Sequence, residues 1–209
     1  MKTIIRAEIT KGEEIRYISH LDYAGAVERA IRRAGIPAAY SEGFNPHMKL
    51  AFASALAVGV TSTSEYMDVE LADSYSLSHF TQLLGSALPK GIRLKRAVYK
   101  SPEDKKALMA LVERASYRIV LPSGFSKDAI RKAIADFDVQ DEVIVWKETP
   151  KSRKEIEIKQ YMAAPIRYIE GASDELLMDI LITPQGSVKP EQIVRALYDL
   201  FGFPIQVET

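Results

Sequence analysis

The sequence predicts an α+β chain in which the order β-α-β-β-α-β occurs twice in tandem. Three observations predict it. Segments that alternate apolar and polar residues recur between segments with apolar residues at three- and four-residue steps. Glycine, proline and serine punctuate nearly every boundary between them. A charged stretch near the middle of the 209 residues separates two runs with the same rhythm.

In the first run, residues 3–10 (TIIRAEIT) read as a strand. EEIRYISH then leads to a helix over about 20–35, with Ala24, Val27, Ile31 and Ala34 on one face. Ser19 is its N-cap, Asp22 places negative charge in the first turn, and Gly35 and Pro37 stop it. KLAFA and EYMDVELA read as strands. In the second, Tyr66, Asp68 and Glu70 alternate with Met67, Val69 and Leu71. SLSHFTQLLGSAL is a helix from Ser76, and IRLKRAVY is a strand ending at Tyr99.

SPEDKKALMALVERA is charged and helical in pattern, and residues 101–114 are the expected linker helix. The second run follows: strand SYRIVLP, helix FSKDAIRKAIADF capped by Ser126, and a hairpin of EVIVWKE and KEIEIKQ around TPKSR. After it come strand ELLMDILIT, helix KPEQIVRALYDLF with Pro190 near its start, and a closing strand PIQVE. This is the same order with one extra strand. The expectation is therefore two tandem ferredoxin-like units, 1–100 and 115–209.

Composition limits function. The 28 Lys and Arg equal the 28 Asp and Glu, so a nucleic acid would have to be held by a local patch. With no cysteine, disulfides, thiolate-held clusters, cysteine zinc sites and a cysteine nucleophile are all excluded. The N-terminus lacks a signal-peptide core and no apolar run is long enough for a membrane span. The chain reads as soluble and cytoplasmic, with no cofactor and no resident metal expected.

Chemistry-bearing residues gather between the first helix and the next strand. Arg29, Arg32 and Arg33 lie opposite Val27 and Ile31 and make a cationic patch suited to phosphate, or else a solvated face. The loop YSEGFNPHMK adds Tyr40, Phe44, Asn45, His47 and Lys49. Tyr40 and Phe44 either stack on bases or fill the core. Gly43 suits a positive φ, and Asn45 before Pro46 is held extended. His20, Asp22 and His47 are the weak catalytic candidates, on a nucleotide or RNA, and a mixed nitrogen and oxygen metal site from them is conceivable. Glu65, Asp68 and Glu70 invite an acid–base reading, but Asp68 and Glu70, two residues apart on one strand face, read better as the wet side of a sheet. Ser41, Ser54 and Ser62 stand in no nucleophile elbow. Lys147, Trp146, Lys159 and the basic tip TPKSRK at 149–154 are a weak second surface.

The pieces SHLD, ERAIRRAGIP, YSEGFNPHMK, GV followed by SEYMDVEL, ASY and GSVKPEQI together resemble the bacterial radical SAM-linked protein family. The resemblance spans nearly the whole chain. It implies a companion module of a radical S-adenosylmethionine protein, since a chain without cysteine cannot be the radical enzyme. Its motif falls on Ser19, His20, Asp22, Arg29, Arg32, Arg33, Tyr40, Gly43, Phe44, Asn45, Pro46 and His47. Met48 stands where that family often has a second proline. Three functions compete: an RNA-binding accessory module, a protein-docking module without RNA, and an enzyme using His20, Asp22 and His47. The sequence does not set the oligomeric state.

Overall fold

The computed structural model describes residues 3–149 and 152–206. The chain is mixed α+β, with four helices and antiparallel sheets among the described residues. It divides into two units, Met1–Val112 and Glu113–Thr209.

The first unit runs β1 (Thr3–Lys11), α1 (His20–Arg33), β2 (Leu50–Phe52), β3 (Ser62–Leu71), α2 (Leu77–Ala87) and β4 (Leu94–Tyr99). Its four strands lie in the order β2-β3-β1-β4, each antiparallel to its neighbour. Ile5, Ala7 and Ile9 of β1 and Met67, Val69 and Leu71 of β3 alternate onto one face. There they pack with Val27 and Ile31 of α1 and Phe80 and Leu84 of α2.

α1 starts and stops by local chemistry. The Ser19 Oγ accepts from the Asp22 N–H at 3.1 Å, and its hydroxyl donates to Asp22 Oδ2 at 2.7 Å. At the other end Gly35 takes φ +64°, its N–H donates to the Arg32 carbonyl, and the Ile36 N–H donates to the Ile31 carbonyl. That pair of bonds is a Schellman closure, which needs a left-handed residue where Gly35 stands.

The linker helix expected over 101–114 does not form. The segment holds one short 3-10 turn, Leu108–Leu111, and β5 has begun by Arg114. Most of it belongs to the first unit, with the turn lying against β2 and β3 and Leu108 buried. An ion pair from Asp104 to Arg6 at 3.2 Å holds the path. Seating Leu108 and Asp104 on the sheet outweighs local helical preference.

The second unit runs β5 (Arg114–Val120), α3 (Lys127–Asp138), β6 (Ile144–Thr149), β7 (Ser152–Glu157), β8 (Arg167–Ile169), β9 (Glu175–Leu181) and α4 (Pro190–Phe201). It forms a sheet in the order β5-β9-β8 and a separate β6-β7 hairpin. Its own core gathers Ile130, Phe137, Leu176, Met178, Ile193 and Leu197. Two expectations need correction. The short β8 was not expected, and residues 204–206, the described part of the closing PIQVE segment, are not a strand. Gly202 ends α4 at φ +69°, and Phe203 then turns into the core, which takes the chain off a strand path. Pro150 and Lys151 of the basic hairpin tip lie outside the described residues, as do the Lys147 side chain and its neighbours there.

Candidate functional site

After the Schellman turn the chain runs beside β3, with the Ala39 N–H donating to the Glu70 carbonyl at 2.8 Å. It then loops out and returns. Tyr40 and Met48 bridge across the neck, and the Ser41 N–H donates to the His47 carbonyl at 2.8 Å. The His47 N–H donates to Ser41 Oγ at 2.9 Å, and the Lys49 N–H to the Ala39 carbonyl at 2.8 Å. Met48 is buried beneath this neck. Gly43, at φ +120°, turns the tip, where an L side chain would be strained.

The tip is therefore held shut while its side chains face outward. Glu42, Gly43, Phe44, Asn45, Pro46 and His47 are all exposed, and Phe44 is as exposed as a free residue. Exposing a whole phenyl ring forgoes about 1.5–3 kcal/mol of burial. Tyr40 is also exposed, so neither ring fills the core.

The three arginines part company. Arg32 donates from Nε to the Tyr40 hydroxyl at 3.3 Å and from Nη2 to Glu28 at 3.2 Å, tying α1 to the loop neck. The Tyr40 contact, with the Glu28 charge behind it, raises its already high pKa. Arg33 donates to the Ala87 carbonyl at 2.7 Å, closing the last turn of α2. Arg29 makes no ion pair or hydrogen bond among the described residues, and its guanidinium folds back over Gly25, one turn earlier. Lys49 is paired with Glu70 at 3.1 Å. The arginine face, read as a cationic patch or a solvated surface, is thus one free guanidinium, one shared and one structural.

His20, Asp22 and His47 do not combine. The His20 ring packs edge-on against Phe52 at 5.3 Å between centroids, and Asp22 is occupied by Ser19. Among the described residues no group of three or more His, Asp or Glu is arranged to hold a metal ion.

The reading of Asp68 as part of a solvated face also changes, and Glu65 stands apart from it. Glu65 points into the helix-covered face with Ile9 and Met67, is buried, and accepts from Ser54 Oγ at 2.9 Å. Asp68 is buried on the opposite face by a two-pronged pair with Arg6 at 2.8 and 2.9 Å. Beside it Glu8 takes Lys95 at 2.6 Å, Arg96 at 2.7 Å and Ser64 at 2.8 Å. These contacts, Lys95 and Ser64 foremost, hold the Glu8 carboxyl down to about 2. Arg6, Glu8, Tyr66, Arg96 and Val98 rim a shallow bowl of 180 Å³ there. That is smaller than the roughly 300–1,000 Å³ of ordinary small-molecule pockets, and its charges already satisfy one another.

Sequence reasoning missed Lys11. At the end of β1 a lysine reads as a solvated terminus, yet it is 1% exposed. Its ammonium donates to the Ile18 carbonyl at 3.1 Å and the Ala57 carbonyl at 3.3 Å. Burial pushes its pKa down, against the pull of the Glu65 charge. Tyr23, which donates to the Thr10 carbonyl at 3.0 Å, lies in the same pocket of the core, and burial pushes its phenol up. The only available signal was period two, which puts residue 11 on the face of Ile5, Ala7 and Ile9.

Among the described residues no helix is long and apolar enough to cross a membrane. No curated protein matches the chain. A family described as an uncharacterised protein conserved in bacteria, DUF2344, matches residues 5–190. With nearly its whole length matched, the chain belongs to that bacterial family.

Proposed function

We propose that the chain is an accessory module that binds single-stranded RNA and works beside a radical SAM enzyme in the cytoplasm. The observation that carries the RNA reading is Phe44, wholly exposed at the tip of a loop whose neck is closed by hydrogen bonds. A flat ring held out in this way suits base stacking, which tolerates sequence. Arg29 is uncommitted, and Arg32 sits at the neck through Tyr40; both supply guanidinium groups for phosphate. Asn45 and His47 add polar groups at the same tip. The radical SAM partner rests on the motif resemblance alone.

The finer fold is part of the proposal. The order β-α-β-β-α-β with sheet order β2-β3-β1-β4 supports a ferredoxin-like first unit. The second unit is read as a ferredoxin-like variant with its hairpin detached.

A second reading, protein docking without RNA, is favoured by the pairing of Lys49 with Glu70 and of Arg33 with Ala87. These leave few cations for phosphate. Catalysis by His20, Asp22 and His47 has no comparable support.

The test is binding of the full chain to a labelled poly-uridine oligonucleotide across a salt series. One to two phosphate contacts predict a log–log slope of about −0.7 to −1.4. Arg29→Ala lowers that slope, while Arg33→Met leaves it unchanged. Absence of binding at low salt sinks the RNA reading and leaves docking in its place.

A further inference from the structure

Residues 101–112 carry a conflict between sequence and structure, independent of the RNA reading. Ser101, Pro102, Glu103 and Asp104 read as a cap, a proline at the first helical position and two acids behind it, which is how a helix opens. From Lys105 to Leu111 the chain holds only Lys, Ala, Leu and Met, all strong helix formers.

Both ends of that helix are already started. The Glu103 N–H donates to Ser101 Oγ at 3.3 Å and the Asp104 N–H to the Ser101 carbonyl at 3.1 Å, which makes a capped first turn. Leu108–Leu111 is a 3-10 turn, and the Ala110 N–H donates to the Ala107 carbonyl at 2.9 Å. Between the two turns the path breaks, with Ala107 extended at φ −62° and ψ 143°.

Three contacts hold the break. Asp104 pairs with Arg6 at 3.2 Å. Lys100 Nζ donates to the Lys106 carbonyl at 3.2 Å and stands 3.6 Å from Asp68. Leu108 is buried, yet it belongs to neither hydrophobic core. Arg6 and Asp68 face each other across β1 and β3, on the side away from Ile5, Ala7, Val69 and the two helices. The segment is thus a strap across the helix-free face of the first sheet. Lys105, Lys106, Ala107 and Met109 along it are exposed.

We propose that residues 101–112 are a two-state strap. Closed, they cover part of the helix-free face. Open, they form one helix capped by Ser101 and leave that face bare. The helix ends before Glu113, whose carbonyl stays paired with the Ile182 N–H at 2.9 Å. The costly step in making a helix is its first turn, and here that turn exists in the closed state. A helix of this length is marginal alone in water, so three contacts suffice to hold the strap closed, and losing one shifts the balance.

The test records Cα chemical shifts of the full chain. Leu108→Gln removes the buried anchor and Asp104→Gln removes the ion pair. Glutamine is a strong helix former, and at position 104 it keeps the pattern of a capping box. The wild type is expected to show an extended shift at Ala107. Leu108→Gln is expected to raise the helical share of residues 102–111 at least about tenfold. Asp104→Gln is expected to raise it less, with the signals of β1–β4 unchanged in both. Adding Ala107→Pro, whose ring fits φ −62° but bars a helix interior, is expected to remove the helical shifts. Asp104→Gln decides alone if Leu108→Gln fails to fold. Unchanged shifts, or random-coil shifts across 102–111, would overturn the proposal, since the freed segment would have no second state. So would helical shifts that survive Ala107→Pro, or loss of the β1–β4 signals in both variants, since the segment would then be part of the core.

Discussion

Replacing Glu8 with glutamine is expected to remove a pH-dependent share of the first unit's stability. Glu8 lies on β1, buried, with Lys95, Ser64 and Arg96 around its oxygens. Its carboxyl falls from 4.5 to about 2. The native state thus binds this proton less readily than the unfolded chain. The stabilisation is complete above about pH 4.5 and disappears as pH falls toward 2. At about 1.4 kcal/mol per pH unit the full shift corresponds to about 3 kcal/mol. Lys95 is half-exposed and Arg96 largely exposed, so solvent screening reduces this to about 1–2 kcal/mol. Glutamine keeps the shape and removes the charge. Denaturant unfolding of both proteins across pH is the assay. The wild type is expected to lead by about 1–2 kcal/mol at neutral pH, with the gap closing near pH 2. A gap that stays constant with pH, or a variant as stable as wild type at neutral pH, would refute the assignment.

Other outcomes follow from the same geometry. Lys11→Met keeps the buried stem but orphans the Ile18 and Ala57 carbonyls; it is expected to cost about 1–3 kcal/mol and to speed amide exchange at residues 16–19 and 57–60. Leu108→Ala removes the buried anchor of the segment on β2 and β3, and calorimetry is expected to show a loss of about 2–3 kcal/mol. Gly43→Ala forces a side chain onto φ +120°; thermal unfolding is expected to show a loss of about 1 kcal/mol, with weaker RNA binding from the distorted tip.

Where local signals and tertiary demands agreed, the sequence was legible. Ser19, Gly35 and the apolar spacing marked both ends and the buried face of α1, because capping and closure are decided within one turn. Ser76 and Ser126 marked α2 and α3 in the same way. The readings that failed depended on partners distant in sequence. Leu108 and Asp104 look helical until the sheet offers a seat and Arg6 a charge. Asp68 looks solvated until Arg6 covers it, and Lys11 until the Ile18 and Ala57 carbonyls take its ammonium. In the candidate site, composition pointed to the loop, but could not say that Arg33 closes α2, that Lys49 is held by Glu70, or that Phe44 stands clear of the core.

The central claim is that the closed loop presents Phe44 as a stacking platform for single-stranded RNA. Its most direct test is the affinity of the full chain and of Phe44→Ala for one poly-uridine oligonucleotide at low salt. Phe44 is fully exposed, so its removal leaves the fold intact. Loss of one stacked base predicts a penalty of about 1–3 kcal/mol, about five- to 150-fold in Kd. Equal affinity of the two proteins, or no binding by either, would contradict it.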